Sequence, residues 1–165
     1  MLSSNRQLGC DPATDLRGIP MTRPRAKFTT SAILLAVALS VSLVAGCTPE
    51  QDRANVVLLI NKERAQIGLA SVEWNDELGD KAQEWAEHLA DSGKLGHSVL
   101  TEGVSAGWRA LGENVGYGND IGNVHVAFMR SQVHREAILN RVYRGIGIGV
   151  AERGSQLFIV EVFKA

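Results

Sequence analysis

Gly145-Ile146-Gly147-Ile148-Gly149-Val150, then Arg153-Gly154, then Gln156-Leu157-Phe158-Ile159-Val160-Glu161-Val162-Phe163: this stretch decides the fold. Ile146, Ile148 and Val150 alternate with glycines, the period of a half-buried strand. Arg153-Gly154 supplies a turn, and Gln156 to Phe163 returns as a second strand rich in Ile, Val and Phe. One face of the first strand is bare glycine. Glycine weakens a strand interior, so its presence predicts another segment packed very close to that face.

Working outward, the residues before the hairpin read as helices. Asn55 to Ile67 carries Val56, Leu59, Ile60 and Ile67 near one face, and Gly68 is a stop. Val72-Glu73-Trp74 runs extended. Asn75 or Asp76 caps a second helix with Leu78, Ala82, Trp85, Ala86 and Leu89 as its buried stripe, ended by Ser92-Gly93. Glu84, Glu87 and Asp91 read as a solvated face, with His88 a surface histidine beside it. Gly116 to Gly122 reads as a glycine-rich loop; no Gly-Lys-Ser/Thr follows, so it is not a phosphate cradle. Asn119 or Asp120 caps a third helix to Arg130, with Val124, Ala127, Phe128 and Ser131 on one side. His134 to Asn140 forms a fourth, short helix. Helices first and an antiparallel hairpin last imply an α+β sandwich.

Three polar signatures lie between the second helix and the hairpin: Gly96-His97-Ser98, Gly112-Glu113-Asn114-Val115 and Ser131-Gln132-Val133-His134-Arg135. Brought together, His97, His134 and Glu113 would offer two nitrogen ligands and one oxygen ligand, the set of an open Zn²⁺ site with a fourth position for water. A buried hydrogen-bonded His–Glu–His cluster without metal is the simpler reading of the same residues.

The chain has 165 residues, 45% hydrophobic and 21% charged, which places it with globular proteins. A net charge of -1 gives no pull towards nucleic acid. Residues 1–46 carry five basic residues and two acids, leaving 12 basic and 16 acidic residues for 47–165. The basic front reads as a targeting segment. Arg23, Arg25 and Lys27 after Met21 make a positive n-region. Ala32 to Ala45 is an apolar run suited to a signal peptide and short for a membrane span. Val44-Ala45-Gly46-Cys47 resembles a bacterial lipobox, which implies cleavage before Cys47 and a membrane anchor of acyl chains on it. Residues 1–20 then read as an over-extended start, 21–46 as the signal peptide, 47–54 as lipidated Cys and polar linker, and 55–165 as the domain. Cys10 falls in the first of these, so the mature chain would hold no disulfide.

The ordered set Asn61-x-x-Arg64, Gly68-Leu69, Trp74-Asn75-x-x-Leu78, His97-Ser98, Gly112-Glu113-Asn114-Val115, Ser131-x-x-His134-Arg135 and Gly145-Ile146-Gly147-Ile148-Gly149 resembles the CAP superfamily, in its small bacterial branch. That superfamily comprises cysteine-rich secretory proteins, antigen 5 and plant pathogenesis-related proteins. The resemblance spans about residues 55 to 163. It implies a three-layer α-β-α sandwich around a central antiparallel sheet, with a cleft holding two histidines and two glutamates. His97, Glu113 and His134 match three of those positions. Ser131 stands where the animal and plant members carry the second glutamate, and Phe128 stands at the family tryptophan. Ser131, Asn114 and Arg135 are then the residues around the site.

Two functions follow from that set. One is a non-enzymatic cell-envelope module, anchored outside the cytoplasm, whose cleft takes a divalent metal and a cell-wall, lipid or peptide ligand. The other is a metal-dependent, peptidase-like hydrolase with His97, His134 and Glu113 as its machinery. The hydrolase is short of one acid. With Glu113 as ligand no general base remains, and with Glu113 as base only two ligands remain. A spare acid reaching the cleft would separate the two, and Glu102 is the nearby candidate.

Overall fold

The computed structural model describes residues 49–165. The signal peptide, the lipobox with Cys47, and the reading of residues 1–20 as an over-extended start lie outside the described residues. Four helices and four strands follow in the order α1 (Pro49–Gln66), β1 (Glu73–Trp74), α2 (Asp76–Ser92), β2 (Leu111–Gly118), α3 (Ile121–Arg130), α4 (Gln132–Ile138), β3 (Gly145–Arg153) and β4 (Gln156–Lys164).

The sheet order is β1-β3-β4-β2. The three long strands pair antiparallel, and the two-residue β1 adds in parallel to β3, Glu73 opposite Gly145. One sheet face packs on α2: Leu78, Ala82, Ala86 and Leu89 meet Val115, Phe158, Val160 and Val162. The opposite face packs on α1, α3 and α4: Val56, Ile60, Val124, Phe128 and Ile138 meet Ile146, Ile148, Ile159 and Phe163. These are the three layers of an α-β-α sandwich.

The glycine face of β3 is the contact with α2. A Cβ on Gly147 would lie 2.0 Å from the Leu78 carbonyl carbon, and one on Gly149 2.0 Å from the Ala82 carbonyl oxygen. The backbone of α2 therefore sits directly on the strand, where no side chain fits. Asn75 caps α2 by accepting from Leu78 N at 3.0 Å, and Gly93 ends it in the left-handed region at φ 67°. Gly154 turns the hairpin at φ 62°.

Several boundaries differ from the sequence reading. Residues 49–54 are the first turns of α1 rather than a linker: Pro49 opens the helix and Glu50 and Asp52 favour its N-terminus. Ile67 lies past the end of α1 and is exposed; the helix buries Val56, Ile60 and Arg64. Residues 116–118 belong to β2, not to a loop. The two glycines among them are required by α3, because a Cβ on Gly116 would lie 2.6 Å from the Phe128 ring and one on Gly118 2.7 Å from Val124. The fourth helix starts two residues early, at Gln132.

Arg64 is the buried polar hub of the α1 layer. It donates to the carbonyls of Ala70, Ile138, Asn140 and Tyr143 at 2.8–3.2 Å, tying α1 to the end of α4 and the entry of β3. Asn61 exchanges two hydrogen bonds with the backbone of Val72 and so fixes the approach to β1.

Candidate functional site

The site begins at Glu113 on β2. It pairs with Val162, so its side chain leaves the sheet on the α2 face, near the edge, where the 97–98 segment covers it. Its side chain is 1% exposed. One oxygen lies 2.8 Å from His97 Nδ1 and accepts from Ser98 N at 2.9 Å; the other accepts from Ser98 Oγ at 2.6 Å. Both carboxylate oxygens are therefore engaged, as a buried carboxylate requires. The hydrogen-bond network assigns the proton of a neutral His97 ring to Nδ1, leaving Nε2 as its lone-pair nitrogen. The ring itself is 65% exposed.

His134 lies on the first turns of α4 and packs against Phe128, ring centroids 4.8 Å apart. Its Nδ1 is buried without a hydrogen-bond partner. Burial, reinforced by the neighbouring His97, holds its pKa below the ordinary histidine range. His134 is therefore biased towards its neutral form.

Asn114 points to the opposite sheet face from Glu113. Its Nδ2 donates to the His134 carbonyl at 3.1 Å and to Glu161 Oε2 at 2.8 Å. Arg135 braces the α3–α4 joint through Nη1 to Met129 O at 3.1 Å. Ser131 is that joint; its backbone N donates to Ala127 and Phe128, and its carbonyl accepts from Arg135 N.

As part of a donor set for an ion, Glu113 does not stand free, because both its oxygens are bonded to His97 and Ser98. Among the described residues no group of three or more His, Cys, Asp or Glu side chains is placed to hold a metal. Glu113 instead stands behind His97 and fixes the tautomer and orientation of its ring. Two imidazole nitrogens would hold Zn²⁺ weakly.

Sequence reasoning missed two sets of residues. The first is Glu161, in mid-strand and 1% exposed, with Oε1 lacking any partner. Burial pushes its carboxyl up to about 8, and the Asn114 bond only partly offsets that. The signal was a lone acid between Ile159 and Phe163, on the inward period of an apolar strand. The second is on α2, where Glu84 and His88 read as solvated surface and Trp85 as part of the buried stripe. Glu84, Trp85 and His88 line an open cleft of about 670 Å³ together with His97, Ser98 and Glu102. His134 is not part of that lining, so the cleft lies on the α2 side of His97.

The family model of the cysteine-rich secretory protein family, CAP, matches residues 57–163. No relative is found among the curated proteins. An outer surface protein of Borrelia burgdorferi is similar in fold, with a TM-score of 0.66 at 20% identity over 71% of this chain and 94% of that one. So is an extracellular SCP-domain protein of Bacillus anthracis, with a TM-score of 0.61 at 21% identity, covering 73% of this chain and 44% of that one. A venom allergen-like protein of Schistosoma mansoni scores 0.59 at 14% identity over 69% and 88%. A match over most of the domain, in the fold that these structures share, means that the chain belongs to the CAP family.

Proposed function

We propose that this protein is a membrane-anchored, extracytoplasmic CAP lipoprotein that acts as a non-enzymatic binding module of the cell envelope. The observation that carries the reading is the commitment of Glu113. Both its oxygens hold His97 and Ser98, so it orients an exposed imidazole towards an open cleft and is not free as a general base. The lipobox at Cys47 supplies the anchor. The extracellular and outer-surface proteins of the same fold accord with a place outside the cytoplasm. His97 Nε2 and His134 would take Zn²⁺ or a similar ion with modest affinity, and Ca²⁺ or Mg²⁺ would compete poorly with imidazole ligands. When bound, such an ion offers a Lewis-acidic anchor for a cell-wall, lipid or peptide ligand.

A hydrolase remains the second reading because Glu102 lines the same cleft as His97. The two are separated by one comparison. Wild type and a His97→Ala/His134→Ala variant are titrated with zinc by calorimetry at pH 7.5 and 5.5, beside a peptide and ester substrate screen. A binding module gives zinc heat in wild type only, weaker at the lower pH because ligand histidines must be neutral, and no turnover. Turnover lost on Glu102→Gln would establish the hydrolase. Membrane fractionation of Cys47→Ala tests the anchor: a variant that is processed normally and stays in the membrane would refute it.

A further inference from the structure

Residues 93–110 join α2 to β2 without a helix or strand of their own. A connection of that length without regular structure is uncommon in a compact domain outside functional loops. It doubles back along α2. Glu77, Lys81 and Trp85 are spaced four apart, so they share one face of that helix. Each bonds to the segment. Trp85 Nε1 donates to Gly96 O at 2.9 Å. Lys81 Nζ donates to the carbonyls of Val99 at 2.9 Å and Glu102 at 2.8 Å. Glu77 Oε1 accepts from Ser105 N at 2.8 Å and also from Ser105 Oγ. The order 85, 81, 77 on the helix meets the order 96, 99–102, 105 on the segment, so the two run antiparallel. The open cleft beside His97 is lined by both, from 77 to 88 on α2 and from 97 to 103 on the segment.

The attachments are of two kinds. At its base the segment is fixed to the sheet: Ser98 N and Oγ donate to Glu113, which is 1% exposed, at 2.9 and 2.6 Å. At its far end Arg109 N donates to Ala165 O at 2.7 Å, and Ala110 O accepts from Ala165 N at 2.9 Å. Between these ends, among the described residues, Lys81 and Glu77 make the bonds to the rest of the domain, and Val104 packs against the α2-side core. The Lys81 and Glu77 bonds are exposed, where water competes for both partners. A stretch held by exposed bonds and few buried apolar contacts opens locally at low cost. Gly107 ends the stretch at φ 102°, with open space where a Cβ would stand, a backbone state that glycine adopts readily.

We propose that residues 99–107 are a hinged strap over the cleft, shut by the bonds of Lys81 and Glu77 and swung away on their release, while the Ser98–Glu113 and Trp85–Gly96 bonds keep His97 in place. Opening removes one wall of the cleft and lets a ligand longer than the cavity lie along α2. The strap guards the cleft assigned above to ligand binding, so its role rests on that reading, but its motion needs neither metal nor ligand. Lys81 is the positioning residue of the shut state. Its ammonium gathers both carbonyls of the 99–102 turn, which Glu102 N closes on Val99 O at 3.0 Å.

Residue-resolved amide exchange on the full-length protein in non-ionic detergent is the test. Glu102 N and Ser105 N report on the strap, Ser98 N on its base, and the β2–β4 ladder on the domain. In wild type Glu102 and Ser105 should exchange faster than Ser98, yet slower than an unstructured peptide. Lys81→Met should speed both about ten-fold, although Lys81 bonds to neither N–H, and leave Ser98 and the ladder unchanged. Lys81→Arg still donates to two carbonyls and should restore most of the protection. Faster exchange at Glu102 with none at Ser105 would overturn the strap as a unit. So would Ser98 speeding up with the other two, or wild-type amides at 98, 102 and 105 that are equally slow or that all exchange freely. Zinc calorimetry on the same samples keeps the two readings apart. Exchange that fails in these ways sinks the strap even where zinc binds, and absent zinc heat with exchange as expected sinks the reading of the two histidines alone.

Discussion

Glu161→Gln should change how stability depends on pH far more than it changes the structure. Glu161 faces α3 and α4 from the middle of β4, opposite Asn114, with a carboxyl raised by burial from 4.5 to about 8. A raised folded-state pKa means that the folded protein binds the proton more tightly than the unfolded chain. Stability from this group is therefore fully present below about pH 4.5 and is lost as pH rises towards 8. Each pH unit in that window costs about 1.4 kcal/mol, so roughly 5 kcal/mol separates the two ends. That is a large share of the roughly 5–15 kcal/mol typical of a domain. Glutamine keeps an acceptor for Asn114 Nδ2 and removes the ionisation. It also places an amide where Oε1 lacks a partner, at a cost of about 1–3 kcal/mol that does not vary with pH.

The variant should accordingly be the less stable protein at pH 4.5 and the more stable one at pH 9. Urea denaturation of the 48–165 domain at four pH values between these limits measures the difference. The depressed histidines His125 and His134 favour stability as pH rises, but they are present in both proteins and cancel. A difference that stays within about 1 kcal/mol across the range would refute the reasoning. Glu161 would then ionise at an ordinary pH despite its burial.

Two further substitutions test the packing. Gly147→Ala drives a Cβ into the Leu78 carbonyl on the α2 backbone and should cost about 3 kcal/mol or more by the same denaturation measurement. A cost under about 1 kcal/mol would mean that α2 can slide off the strand. Arg64→Met removes the donor to four carbonyls, two of them buried, and should cost about 3–5 kcal/mol without altering zinc binding. Lost binding in a folded Arg64→Met protein would show that the hub reaches the site.

The parts of the fold that were legible are those set by local chemistry. The alternating hairpin fixed the two longest strands, and its bare glycine face correctly implied a close neighbour. Asn75, Asp120 and Gly93 marked helix ends because a cap is a short-range bond. The misreadings have tertiary causes. Gly116 and Gly118 resemble turn residues, yet they are strand residues thinned to admit Phe128 and Val124. Residues 49–54 have no apolar stripe of their own and are helical as an extension of the packed turns that start at Val56. At the site, the pattern named His97, Glu113 and His134, but it could not show that both oxygens of Glu113 are taken up by His97 and Ser98. The cleft residues of α2 were hidden because a polar helix face that borders a cleft and one fully in solvent have the same sequence.

The substitution of serine at position 131 has a consequence for where charge can act. Ser131 is the joint between α3 and α4, and its backbone, not its side chain, makes the bonds that hold His134 in place. Glu161 does not replace the missing acid. It is fully buried, and among the described residues its side chain bonds to Asn114 alone. On the His134 side of the site, then, no ionised carboxylate reaches solvent from Ser131, Asn114 or Glu161. On the other side of His97 the α2 face and the 98–103 loop bring Glu84, Asp80 and Glu102 to the cleft wall. The exposed imidazole of His97 therefore stands at the edge of a cleft wall in which acids outnumber bases.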